Sequence, residues 1–149
     1  MDHTEPIPLI RLLDAAFGEF SEELTKRVEG AGYDDIRPGH GCVFGTIDPE
    51  EGSRLTDLAQ RAHMTKQSVG EAASDLEQRG YIERVPDPED GRAKIIRLTD
   101  RGLEARALGR RHIDEIEREW AERFGEERVA ALREALEAIT AEHLGAIPA

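Results

Sequence analysis

Four consecutive polar residues, Thr65-Lys66-Gln67-Ser68, are the side chains of this 149-residue sequence best suited to grip another molecule. They precede Val69, Ala73 and Leu76, whose spacing is that of a helix's buried face, so they would stand at the exposed start of that helix. Helix N-terminal amides attract phosphate. Lys66 could reach a guanine or a phosphate, and the Gln67 amide carries the donor and acceptor that match adenine N6 and N7. The bland alternative is a solvated helix start with a threonine cap. A second set is Asp90-Gly91-Arg92, followed by Lys94 and Arg97. An arginine at a hairpin tip can enter a narrow minor groove, where the negative potential is deepest. The alternative there is an exposed Asp90–Arg92 ion pair, which is worth little. Arg54 is a further phosphate candidate.

These groups need particular elements to hold them. Leu55, Leu58, Ala59 and Ala62 lie at i, i+3, i+4 and i+7, one apolar stripe of a short helix. His63-Met64 is a turn, Thr65 an N-cap with Ser68 three positions on, and Gly80 a helix stop. Two helices joined by a short turn make a helix-turn-helix, whose second helix can enter a major groove N-terminus first. Residues 81–85 and 93–98 are β-branched and aromatic strand candidates, separated by the turn chemistry of Pro86-Asp87-Pro88-Glu89-Asp90-Gly91-Arg92. The pattern predicts a winged helix-turn-helix.

Outside this lobe the 3–4 spacing of Ile10, Leu13, Phe17, Phe20, Leu24 and Val28 predicts a helix over 7–29, and a short one follows over 38–46. After the wing, Thr99 or Asp100 caps a long helix carrying Leu103, Ala107, Ile113, Ile116, Trp120 and Phe124. Gly125 interrupts it, and a last helix carries Val129, Leu132, Leu136, Ile139 and His143. The expected fold is mainly α with a small β-wing, one domain over 1–149. A winged lobe spans 38–98, and the long terminal helices occupy 7–36 and 100–147. Their apolar faces exceed what the small lobe can cover, so they are expected to interlock with a second copy in a homodimer. The alternative is a monomer folded on its own lobe.

The stretch from Leu55 to Gly102 resembles the MarR family of bacterial transcription regulators. Its most specific pieces are Leu76-Glu77-Gln78-Arg79-Gly80-Tyr81-Ile82-Glu83-Arg84, Asp90-Gly91-Arg92-Ala93-Lys94 and Leu98-Thr99-Asp100-Arg101-Gly102. The resemblance implies a dimeric DNA-binding regulator, in its commonest form a ligand-released repressor on a pseudo-palindromic operator. It implies that Arg92 enters the minor groove while Asp90 holds its guanidinium or stabilises the turn. Many members take small aromatic or phenolic acids between the terminal helices and the lobe, for which Phe17, Tyr33, His40, Phe44 and His112 are the candidates here. Some relatives sense peroxide through a cysteine of the first long helix. Cys42 lies instead in the second, beside Val43 and Phe44, where a buried inert thiol fits better, and a Cys42 redox regulator is the alternative. The second helix of the motif departs from the family pattern: Glu71 and Asp75 stand where many members are basic or neutral, and Gly70 sits in the helix interior. Glu71 either accepts from a cytosine or limits affinity.

The net charge of −12 is unusual for such a partner, but it is unevenly placed. Residues 54–101 hold nine Lys/Arg and nine Asp/Glu, so the whole excess of acid lies elsewhere. That acidity favours a competing class, a winged-helix module whose partner is a protein. No apolar run reaches the length of a membrane span. Met1-Asp2-His3-Thr4-Glu5-Pro6 lacks a basic leader, and a cytoplasmic protein is expected. One cysteine leaves no internal disulfide, and the five scattered histidines show no metal spacing, so neither metal nor cofactor is expected. No nucleophile–base–acid motif or phosphate loop points to an enzyme.

Overall fold

The computed structural model describes residues 5–144. Residues 1–4, at the start of the stretch read for a leader, lie outside it, as do residues 145–147 at the end of the expected terminal segment. The element order is α1 (Leu9–Gly30), α2 (Pro38–Phe44), β1 (Ser53–Arg54), α3 (Leu55–Arg61), α4 (Lys66–Gln78), β2 (Ile82–Pro86), β3 (Lys94–Leu98), α5 (Asp100–Phe124) and α6 (Glu126–Leu144). The mainly helical chain with a small antiparallel sheet matches the expected fold. The wing holds one strand more than expected. Ser53 and Arg54 pair with Ile96 and Ile95, so the sheet order is β1-β3-β2. A two-residue strand has no alternation to read, so the sequence does not announce it.

The chain's own punctuation sets these elements. Thr65 Oγ1 accepts the Ser68 N–H at 3.1 Å and starts α4, and Thr99 accepts the Gly102 N–H at 3.1 Å and starts α5. Gly80 and Gly125 follow α4 and α5 at φ 82° and 107°, where a side chain is disfavoured. The lobe closes over one core in which Leu58, Val69, Ala73, Leu76, Tyr81, Ile82, Ile96 and Leu98 are buried, joined by Val43, Phe44 and Ile47 from α2 and its loop. The residues expected to form the inner face of α4 are those that do.

The lobe is locked to α5. The Thr99 N–H donates to the Tyr81 carbonyl at 3.0 Å, and Thr99 Oγ1 donates to the Gly80 carbonyl at 2.6 Å. Gly102 lies so close that a Cβ there would stand 2.0 Å from the Tyr81 carbonyl oxygen. Behind it the Tyr81 hydroxyl donates to Asp35, and Arg101 donates to that hydroxyl at 3.0 Å and to Asp35 Oδ2 at 3.2 Å. Burial and the Asp35 carboxylate push the Tyr81 phenol up to about 12.

α1 runs along α5, where Phe20 meets Trp120 edge-on at 5.3 Å and Arg27 bonds Glu23 and Glu119. α6 folds back on α5 through Arg133–Glu117 at 2.6 Å. Its far end reaches the turn before α4: His143 Nε2 is 2.9 Å from the Arg61 carbonyl, and its ring stacks on His63 at 4.0 Å. The outer half of α1 leaves much of its apolar surface exposed. Leu9 and Ile10 are 76% and 75% exposed, and Leu13, Phe17, Leu132 and Ile139 are also exposed. Among the described residues no helix is long and apolar enough to cross a membrane.

Candidate nucleic-acid interface

Thr65, Lys66, Gln67 and Ser68 stand exposed at the start of α4. The buried stripe of Val69, Ala73 and Leu76 fixes the helix's rotation, so these four face outward. Across a groove of about 790 Å³, lined on one side by Gln67, Gly70, Glu71 and Ser74, lie Arg84 of β2 and Lys94 of β3. Arg84 bridges it, donating to Ser74 Oγ at 3.1 Å and to the Gly70 carbonyl at 3.5 Å. Sequence reasoning passes over Arg84. Strand alternation gives no signal for it, because Arg84 stands two residues after buried Ile82, on the same face of β2, and yet is exposed.

The wing tip is held by two aspartates. Asp87 Oδ1 accepts the Glu89 N–H at 2.9 Å, and Asp90 Oδ1 accepts the Arg92 N–H at 3.1 Å. Asp90 therefore serves the turn, the second of its two expected roles. Arg92 and Lys94 are exposed beyond it. Arg54 is placed differently from a bare phosphate contact: its guanidinium bonds Asp87, which is buried at the base of the wing.

Residues 54–101 balance nine basic against nine acidic groups, and the ion pairs decide which of these charges stay free. Asp87 is taken by Arg54, Asp75 by Arg79 at 3.0 Å, and Glu83 by Arg97 at 2.9 Å. Arg61 points inward, donating to the Thr46 carbonyl and Ser53 Oγ. Among the described residues of the lobe, the exposed cations without an acidic partner are Lys66 at the start of α4, Arg84 and Lys94 beside the groove, and Arg92 at the wing tip. Asp75 is not the exposed carboxylate that its position on α4 implied. It is half-buried, and His40 Nε2 reaches its Oδ2 at 2.7 Å.

These ties lower several carboxyl groups below the usual range. Asp48 is lowered by the N–H groups of Glu51 and Glu50, Asp75 by Arg79 and then His40, and Asp87 by the Glu89 N–H and then Arg54. A lowered folded-state value adds stability above the unfolded value, about 3.9 for aspartate, and loses it as pH falls through the folded value. The melting temperature should therefore fall steadily from pH ~5 to pH ~3, and Asp87→Asn should flatten that slope. A melting temperature constant across this window would contradict it.

A separate cavity of about 590 Å³ lies between α1, α2 and α5. Its apolar lining includes Phe17, Leu24, Phe44 and Ile113, and Arg37 is on its wall. Of the five residues expected to meet a ligand, it contains Phe17 and Phe44. Tyr33, His40 and His112 do not line it. Tyr33 packs toward Tyr81, ring centroids 6.2 Å apart. His40 is buried, its Nδ1 accepting the Arg37 N–H at 3.1 Å while Nε2 meets Asp75. His112 Nδ1 is 3.0 Å from Glu115. Cys42, half-buried, is on the cavity wall and not in the α2 core.

Residues 34–93 match the model of the MarR family. Over 58 residues the chain is 36% identical to the HTH-type transcriptional regulator BilQ of Clostridioides difficile, covering 39% of each protein. It is 29% identical over 94 residues to the exopolysaccharide II synthesis transcriptional activator ExpG of Rhizobium meliloti, covering 63% of this chain and 48% of that one. The matched part thus spans less than half the length of both. Among solved structures, the transcriptional repressor CouR bound to a 23-mer DNA duplex superposes with a TM-score of 0.74 at 24% identity, covering 89% of this chain and 92% of that one. CouR from Rhodococcus jostii bound to p-coumaroyl-CoA superposes with a TM-score of 0.70 at 23% identity, covering 86% and 88%. At these identities the likeness is one of fold.

Proposed function

We propose that this chain, a member of the MarR family by its residues 34–93 and its fold, is a sequence-specific DNA-binding regulator of transcription. The observation that carries the reading is the placement of an exposed polar helix start and an exposed basic wing beside one groove. The open start of α4, with Lys66 and Gln67, and the wing, with Arg92 and Lys94, flank one groove, while neighbouring cations are paired with acids. An α-helix start fits the major groove and a wing arginine the minor groove beside it. In this reading Thr65 and Ser68 contact backbone, Gln67 a base edge, and Arg54 the backbone only through the wing it steadies. A relative of the same fold is seen on a DNA duplex. The test is enrichment of random duplexes by the purified protein. A shared half-site should emerge, and recovery of random sequence would overturn the reading in favour of a protein partner.

The regulator acts as a homodimer. The terminal segments 7–36 and 100–147 form the interface, and the lobe 38–98 reads DNA. The exposed apolar outer half of α1, with Ile139 and Leu132 of α6, supports this, because such a patch on a lone chain would be costly to leave wet. Two α4 helices must then sit about one DNA turn, roughly 34 Å, apart. Light scattering should give about twice the 16.6 kDa of the chain. A single-chain mass at micromolar concentration would remove both the dimer and the spacing mechanism.

The cavity between α1, α2 and α5 is the effector site of a ligand-released repressor. Its apolar walls with Arg37 suit a small aromatic or phenolic acid. A ligand preferring a dimer with another lobe spacing lowers DNA affinity by its differential affinity for the two states.

A further inference from the structure

The acid on the recognition face is divided by the structure into two carboxylates of different fate. Asp75 also lines the groove, but its carboxylate is tied down by Arg79 and by His40 of α2. Glu71 is exposed, one turn on from Gln67, and its Oε1 accepts the Gln67 Nε2 amide at 3.3 Å. Among the described residues no cation pairs with it. Arg84, which lies in the same groove, takes Ser74 and the Gly70 carbonyl instead. Gly70 beside it adds no side chain, and a Cβ there would meet nothing within 4 Å, so the helix face next to Glu71 is low and open.

A bare carboxylate brought toward two phosphate backbones is repelled unless it meets a donor. In the major groove the donors are the cytosine N4 and adenine N6 amino groups. An adenine also offers the N7 acceptor beside its amino group, which a carboxylate cannot satisfy. A cytosine offers the amino group without that lone pair on the same base. Gln67 is the complementary reader: the hydrogen bond to Glu71 takes one of its two amide N–H groups and leaves the other, with the carbonyl oxygen, for a base edge.

We propose that Glu71 is a specificity-determining residue, whose carboxylate, steadied by Gln67, accepts the N4 amino group of a cytosine in each half-site. This rests on the DNA-binding reading above. The test is enrichment of random duplexes by wild type, Glu71→Ala and Glu71→Gln, with binding of the selected duplex measured beside single-base variants. Wild type should select cytosine at one fixed position per half-site and prefer it by about tenfold or more over the other bases. Glu71→Ala should lose that preference alone, and Glu71→Gln should move it toward adenine, while the remaining positions stay as they were. Glu71 is exposed, so both variants should melt with wild type, and that measurement accompanies the binding. An unchanged consensus with uniformly tighter binding by Glu71→Ala would overturn the proposal and leave Glu71 a repulsive residue only. If wild type enriches no consensus at all, the DNA-binding reading fails first and this proposal with it.

Discussion

Arg92→Ala should bind the selected duplex about tenfold to a hundredfold more weakly than wild type, with an unchanged melting temperature. The side chain is exposed at the wing tip, where the turn is held by Asp90 Oδ1 on the Arg92 backbone N–H, which alanine keeps. The weakening therefore comes from the missing guanidinium and not from the fold. Uncompensated cations are few on this face, so removing one takes a large share of its field. The dependence of log K on log salt should become shallower by about one for each phosphate that is no longer neutralised. Arg97→Ala is the comparison. Arg97 is already paired with Glu83 at 2.9 Å, so its removal should matter far less. Equal affinity and equal salt slope for Arg92→Ala and wild type would place the wing off the DNA.

The largest effect on stability should come from Gly102→Ala. In an exposed helix the change would gain about 1 kcal/mol of helix propensity. Here the new methyl would stand 2.0 Å from the Tyr81 carbonyl oxygen and 3.3 Å from Leu98 Cδ2. That carbonyl cannot retreat freely, because it accepts the Thr99 N–H that starts α5. Overpacking of this kind costs about 3 kcal/mol, and backbone overlap lies at the upper end. A net loss of about 2 kcal/mol or more, or a melting temperature lower by about 4–8 °C, is expected by thermal unfolding. Gly70→Ala, with open space at its Cβ, should instead be neutral or stabilising. A Gly102→Ala protein as stable as wild type would show that α5 can slide on the lobe.

What is legible in the sequence is what repeats locally. Val69, Ala73 and Leu76 announce the rotation of α4, Thr65 and Thr99 the starts of α4 and α5, and Gly80 and Gly125 their stops, because each acts within one turn of chain. Partnerships between distant residues are not legible. Nothing within reach of His40 or Tyr33 in the sequence signals that Asp75 occupies one ring and Tyr81 adjoins the other, although both side chains looked free to meet a ligand. Asp75 meets the same limit. A helical wheel places it near the outer face, and only the packing of α2 against α4 turns it into a buried-side partner. Charge counting gives a neutral stretch over residues 54–101 and stops there; the local field depends on which cations the acids reach.

The lock between Gly102 and Tyr81 also sets how the two ends of the molecule communicate. It makes the lobe and the first turns of α5 one rigid lever, with no hinge where α5 leaves the wing. At 25 residues the arm is about 37 Å long. A swing of about 5° at its far end then carries the reading head about 3 Å, against a tolerance of about 0.5 Å for a preorganised contact. In the proposed dimer, a molecule wedged between α1, α2 and α5 need only tilt that arm slightly. In that proposed mechanism the signal leaving the cavity is an angle, and the length of the helix amplifies it.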